Sequence, residues 1–133
     1  MPPQTGAPLD KPLSGLRILV VEDELMVLMM IEGWLSDLGC STVTSAPSVA
    51  KALGLLAGQQ FDVAMLDMNL GGSDSGAVAE ALERHGVPFV YCTGNRVSPE
   101  AKDKLDRPVL RKPFSAEELA AALSHLIKVN RSA

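Results

Sequence analysis

The feature that most constrains this chain is an alternation. Four short, nearly unbroken apolar runs, LRILVV (16–21), DVAML (62–66), VPFVYC (87–92) and PVLR (108–111), are separated by helical text, with a weaker run, STVTSA (41–46), after the first. Continuous apolar runs belong to strands covered on both faces. Parallel neighbours cannot be joined by a tight hairpin, so strands that recur with a helix between them build a parallel sheet. The helices read as Leu25–Leu38, Ser48–Ala57 closed by Gly58, Ala77–Arg84 ending at Gly86, a short stretch near Pro99–Leu105, and Ala116–Lys128. The expected fold class is α/β, a five-stranded parallel sheet between two layers of helices.

Local chemistry supports these elements. Ser115-Ala116-Glu117-Glu118 is a capping box, in which the serine hydroxyl and a glutamate side chain each satisfy a free backbone N–H. In the first helix Val27, Met30, Ile31, Trp34, Leu35 and Leu38 form one apolar stripe facing the sheet. Leu25, Leu28 and Met29 fall off that stripe and make a second apolar patch. Two covers suit it: the preceding residues Leu9 and Leu13, or a docking partner. Residues 1–14 hold four prolines, one glycine and no apolar period, so they read as a flexible tail. The folded domain is expected over residues 15–129, with a C-terminal tail at 130–133.

Composition excludes several classes. At 133 residues the chain suits one domain, and 47% apolar with 21% charged residues is the balance of a globular protein. A net charge of −4 with scattered Lys and Arg gives no nucleic-acid footprint. No apolar run approaches the roughly 20 residues that span a membrane. The N-terminus MPPQTGAPLDKPLSG has no apolar signal core, so a cytoplasmic location is expected. Cys40 and Cys92 are too few for a disulfide framework, and His85 and His125 sit in polar helical text without metal-ligand spacing.

Chemistry concentrates where the strands end. In an open parallel sheet the C-terminal ends of the strands share one edge, and ligands bind there. Those ends carry Glu22 and Asp23, Asp67, Thr93 and Lys112. An isolated acid at such a place is ordinarily a helix cap, a lone threonine a strand residue, and a lone lysine a surface charge. Five such groups from four strands at one edge are hard to reconcile with those separate roles. Three close carboxylates repel, and hard oxygen ligands with room for water favour Mg²⁺. Lys112 adds a second positive charge and Thr93 a hydroxyl, which is the equipment of phosphoryl transfer. Asp67 then reads as a nucleophile that accepts a phosphoryl group as an acyl phosphate.

ILVVEDE, AMLDMNL, YCTG and VLRKPF, in that order, resemble the response-regulator receiver domain of bacterial two-component signalling. The likeness covers residues 16 to about 128. It implies a flavodoxin-like (CheY-like), doubly wound sheet of order 2-1-3-4-5. It also implies that Glu22 and Asp23 form the acidic pair for Mg²⁺, that Asp67 is the phosphoacceptor and a metal ligand, and that the backbone carbonyl of Asn69 completes the ion's protein ligands. By the same resemblance Thr93 is the switch hydroxyl, Lys112 pairs with the phosphoryl group, and the Lys112-Pro113 bond is cis. The implied donor is a sensor histidine kinase.

Departures from the family pattern are informative. The fifth-strand aromatic that swings inward in family members is Val109 here, and Gly71-Gly72 stands where a loop proline is usual. DMNLGG, VPFVYCTGN and VLRKPF resemble the "FAT GUY" subgroup, which often serves HWE-type kinases, although Tyr91, Cys92 and Asn95 depart from its motif. GNRVSPEAKDKLDR can bury only Val97, Ala101 and Leu105, so ordering of this segment through Thr93 and Asn95 is the expected output signal.

The leading expectation is a stand-alone response regulator, a monomer or weak dimer. It signals by contact with an unidentified downstream protein, without nucleic acid or membrane, and catalyses only its own phosphorylation and dephosphorylation. The alternative within the same chemistry is a phosphate sink or phosphorelay intermediate. An aspartate-nucleophile phosphatase would want an acid where Asn69 stands. A scaffold that never takes phosphate would have no use for the full acid, hydroxyl and lysine set. A nucleotide-binding module would want glycines where EDE follows the first strand.

Overall fold

The computed structural model describes residues 13–70, 73–94 and 108–132. The chain runs β1 (Arg17–Val21), α1 (Leu25–Asp37), β2 (Thr42–Ala46), α2 (Val49–Gly58), β3 (Val63–Asp67), β4 (Asn69–Leu70), β5 (Ser73–Asp74), α3 (Gly76–Arg84), β6 (Phe89–Thr93), β7 (Val109–Arg111) and α4 (Ala116–Ser132). Five strands pair in parallel in the order β2-β1-β3-β6-β7. With the short β4-β5 pair set aside, this is the order 2-1-3-4-5, and the expected α/β sheet stands. The stretch near Pro99–Leu105, Asn95 and the Gly71-Gly72 pair lie outside the described residues.

Strand periodicity sorts the core into two halves. Ile18, Val20, Val63, Met65, Val90, Cys92 and Leu110 pack on one side with Ile31 and Leu35 of α1 and Leu119 and Leu123 of α4. Leu19, Val21, Ala64, Leu66, Phe89 and Tyr91 pack on the other with Leu56 of α2 and Val78 and Leu82 of α3. The central β3 is buried along its whole length, Asp67 included.

Caps and turns follow the local sequence. The Ser48 hydroxyl accepts a hydrogen bond from the Lys51 N–H at 3.2 Å. The capping box forms as expected: the Glu118 N–H donates to Ser115 Oγ, and the Ser115 N–H to Glu118 Oε1, both at 3.0 Å. Gly39 and Gly86 close α1 and α3 with φ of 88° and 69°, where a side chain would be strained. The Lys112-Pro113 bond is cis.

Three sequence expectations change. Leu13, placed in the N-terminal tail and offered as one cover for the α1 patch, is fully buried in the core with Leu28, which favours that cover, so packing begins at least two residues before Gly15. Leu28, read as part of the outer patch, is also buried, whereas Met30, assigned to the inner stripe, is 40% exposed. The buried line of α1 is Leu28, Ile31 and Leu35, at i, i+3 and i+7. Ile31 and Leu35 keep the expected inward face, with Val27, Trp34 and Leu38 packed against the same core, and Leu28 rather than Met30 completes it. At the other end α4 continues through Ser132, past the expected boundary at 129. The exposed apolar residues of α1 are Leu25, Met26, Met29 and Met30. No helix among the described residues is long and apolar enough to cross a membrane.

Candidate functional site: an acidic cluster at the sheet edge

Asp67 is the last residue of β3 and lies between β1 and β6 at the C-terminal edge of the sheet. Its carboxylate is fixed at both oxygens. Oδ1 accepts the Asn69 N–H at 3.0 Å, and Oδ2 lies 3.3 Å from the Lys112 ammonium. Glu22 follows β1, the neighbouring strand, and its carboxylate is as buried as that of Asp67. Its Oε1 is 2.8 Å from Lys112 Nζ, while Oε2 accepts the Glu24 N–H at 3.0 Å.

Periodicity explains why these three meet. Glu22 continues the series Ile18 and Val20, Asp67 the series Val63 and Met65, and Lys112 follows Leu110, all on the α1 and α4 side. β7 is two strands from β3, roughly 10 Å away at the usual ~4.8 Å spacing, a gap closed by the lysine stem from one side, the aspartate side chain from the other and the 3.3 Å contact between them. The Lys112 N–H donates to the Thr93 carbonyl at 2.7 Å, which fixes where that stem starts. Thr93 ends β6, buried, with Tyr91 two residues before it.

The charges partly compensate. Desolvation by burial pushes the Glu22 carboxyl above its ordinary range, and the Lys112 hydrogen bond and the Glu24 N–H pull the other way without cancelling it. Burial also disfavours the Lys112 cation, yet the Glu22 hydrogen bond and the charges of Asp67 and Glu22 outweigh it and hold the ammonium protonated above its ordinary value. Cys92, beside Thr93, is buried, which pushes its thiol up to about 12. A thiol held so firmly protonated is a poor nucleophile, which disfavours a redox role.

The structure brings one further acid to the cluster. Ligand oxygens of Glu22, Glu24 and Asp67 all lie within 4.8 Å of one another. Glu24 was not singled out from the sequence, whereas Asp23, expected to be the second acid, is exposed and outside this trio. Strand β1 ends at Val21, and the chain bends at Asp23 before α1 begins. Glu24 is the N-cap of α1, but its side chain makes no capping bond; Oε1 lies 3.3 Å from Lys112 Nζ instead. The missing side-chain cap bond is not readable in the sequence. The β4-β5 pair after Asp67 was also missed, although Gly-Gly between short segments is a hairpin signal.

Three carboxylates with their oxygens this close form a hard-oxygen donor set that could bind a divalent cation. A shallow hollow of about 350 Å³ opens beside it, lined by Glu24, Val27, Met30, Lys112, Pro113 and Phe114. It joins the acidic cluster to the exposed apolar residues of α1.

Known proteins with this sequence and fold are consistent. The chain is 31% identical over 114 residues to sensor histidine kinase GacS of Pseudomonas protegens, matching 78% of this chain and 12% of that protein. It is 33% identical over 119 residues to transcriptional regulatory protein TcrA of Mycobacterium tuberculosis, matching 86% of this chain and 47% of that protein. It thus spans less than half the length of either. Among solved structures, the receiver domain of sensor histidine kinase PA1611 from Pseudomonas aeruginosa, with a magnesium ion coordinated in its active site cleft, superposes with a TM-score of 0.74. It is 27% identical, with 86% of this chain and 99% of that one covered. A response regulator receiver protein from Sinorhizobium medicae gives a TM-score of 0.77 at 29% identity, with 89% and 98% covered. Residues 18–124 match the profile of the Response regulator receiver domain, and the chain belongs to that family, the two-component modules phosphorylated on an aspartate by histidine kinases.

Proposed function

We propose that this chain accepts a phosphoryl group on Asp67 from a sensor histidine kinase, in a Mg²⁺-dependent transfer, and passes on its state by protein contact. The observation that carries this is the Asp67 carboxylate, buried at a strand end and fixed by the Asn69 N–H and the Lys112 ammonium. A carboxylate held this way loses little orientation freedom on reaction, which is most of what a phosphoryl acceptor needs. One Asp67 oxygen forms the P–O bond as the P–N bond to the donor imidazole breaks. Lys112 stays protonated and faces the charge of the transferred group. Thr93 ends the adjacent strand, in reach of the same edge. Glu22, Asp67 and either Glu24 or Asp23 would hold Mg²⁺, with the Asn69 carbonyl as a further ligand. The ion would neutralise phosphoryl oxygens.

The finer assignments rest on sequence. The stand-alone role, the cytoplasmic location, the monomer or weak dimer, and a catalytic activity limited to the chain's own phosphorylation and dephosphorylation belong to the same reading. VPFVYCTGN and Val109 support the FAT GUY subgroup, with an HWE-type kinase as donor. Leu25, Met26, Met29 and Met30 are exposed on α1, and Met30 shares the hollow with Glu24 and Lys112, a suitable seat for a kinase helix pair.

The experiment is labelling with a small acyl phosphate and Mg²⁺. A phosphoryl group on Asp67 that base and hydroxylamine release is expected, absent in Asp67→Asn and without Mg²⁺. Labelling that persists in Asp67→Asn removes the proposal.

A further inference from the structure

Glu24 has a position whose consequences go beyond its candidacy as a Mg²⁺ ligand. Its side chain is 64% exposed, against 2% for Glu22 and 4% for Asp67, so it stands at the mouth of the cluster. It lines both the acidic site and the apolar hollow. Lys112 is closer to Glu22, at 2.8 Å, than to Glu24, at 3.3 Å, so Glu22 takes the larger share of its charge. Glu24 thus leaves negative charge facing the path by which a donor reaches Asp67.

We propose that Glu24 is a specificity-determining residue that repels small anionic phosphodonors and favours a protein donor. The inference rests on the phosphoacceptor reading of Asp67. A phosphoryl group arriving at Asp67 comes within roughly 6 Å of the Glu24 carboxylate, and in water one charge pair at that distance slows approach about threefold. A small donor has nothing to offset this. A protein donor covers the apolar hollow and the exposed methionines of α1 at the same time, and that burial outweighs the repulsion. Discrimination therefore scales with the charge on the donor and falls with salt.

The test compares two donors at saturating Mg²⁺: acetyl phosphate, a dianion at neutral pH, and phosphoramidate, which carries one net negative charge there. Labelling rates of Asp67 are measured for the wild type, Glu24→Gln and Glu24→Lys. At low salt the ratio of acetyl phosphate to phosphoramidate rates rises about threefold in Glu24→Gln and about tenfold in Glu24→Lys. In 0.5 M salt both gains shrink to less than twofold. Equal changes with both donors, or gains that ignore salt, mean that Glu24 acts only by holding Lys112, and overturn the inference. Labelling that survives Asp67→Asn overturns the phosphoacceptor reading itself, a separate outcome read in the same assay.

Discussion

Cys92 and Cys40 hold their protons firmly, and so does Lys112, which gives the chain a pH response with one sign. Burial pushes the thiols up to about 12 and about 11. Free thiols titrate near ~8.5, so the folded chain binds these protons more tightly than the unfolded chain. Their contribution to stability is complete below about pH 8.5 and is lost as pH rises through 11 and 12. Lys112 acts in the same direction: its contribution is complete below about pH 10.4 and is lost as pH rises from there through its raised folded value. The urea midpoint should therefore fall between pH 8 and pH 10.5, and fall less in Cys92→Ala. A midpoint flat across that range would contradict the burial assigned to these groups. Alkylation supplies a second reading. At pH 8 a thiol titrating near 11 has roughly 100-fold less thiolate than one near 9, so Cys40 should react with iodoacetamide far more slowly than free cysteine.

At the scale of single elements, α1 and α4 make the sharper predictions. Leu28→Ala and Leu13→Ala each empty a buried site, and each should cost about 2–5 kcal/mol in chemical denaturation. For Leu13 that loss would separate a packed residue from a tail residue, where the cost would be near zero. Met26→Asp and Met29→Asp change exposed positions of the same helix and should leave stability within about 0.5 kcal/mol. If that face seats the kinase, these variants slow transfer from a phosphorylated kinase at least tenfold and leave labelling by acetyl phosphate unchanged. In α4, Ser115→Ala breaks the capping box and should cost about 1 kcal/mol. The helices were legible because Gly39, Gly86, Ser48 and Ser115 mark their ends by local chemistry. The burial of Leu28 in place of Met30 was not, because the two are equally apolar and only tertiary packing chooses between them.

For the molecule as a whole, the acidic edge is the feature with the largest consequence. Bringing Glu22, Glu24 and Asp67 within 4.8 Å of one another costs repulsion that one lysine offsets only in part. A divalent ion that binds the folded chain alone stabilises it by mass action, about 2.7 kcal/mol at one hundred times its dissociation constant. Adding Mg²⁺ should therefore raise the melting temperature by several degrees, and less in Glu22→Gln. Differential scanning fluorimetry with and without chelator checks it, and an unchanged wild-type midpoint would rule out the carboxylate trio as a cation site.

The order of apolar runs was enough to determine the sheet, its helical layers and the strand ends that carry Asp67, Thr93 and Lys112. Those are consequences of short-range pattern, repeated along the chain. Tertiary structure brought Glu24 to the cluster around Asp67, which the sequence could not show, since Asp23 and Glu24 are adjacent and chemically alike. That placement rests on a lysine arriving from β7, three strands along the sheet from β1, a contact between residues 88 positions apart that no local pattern encodes.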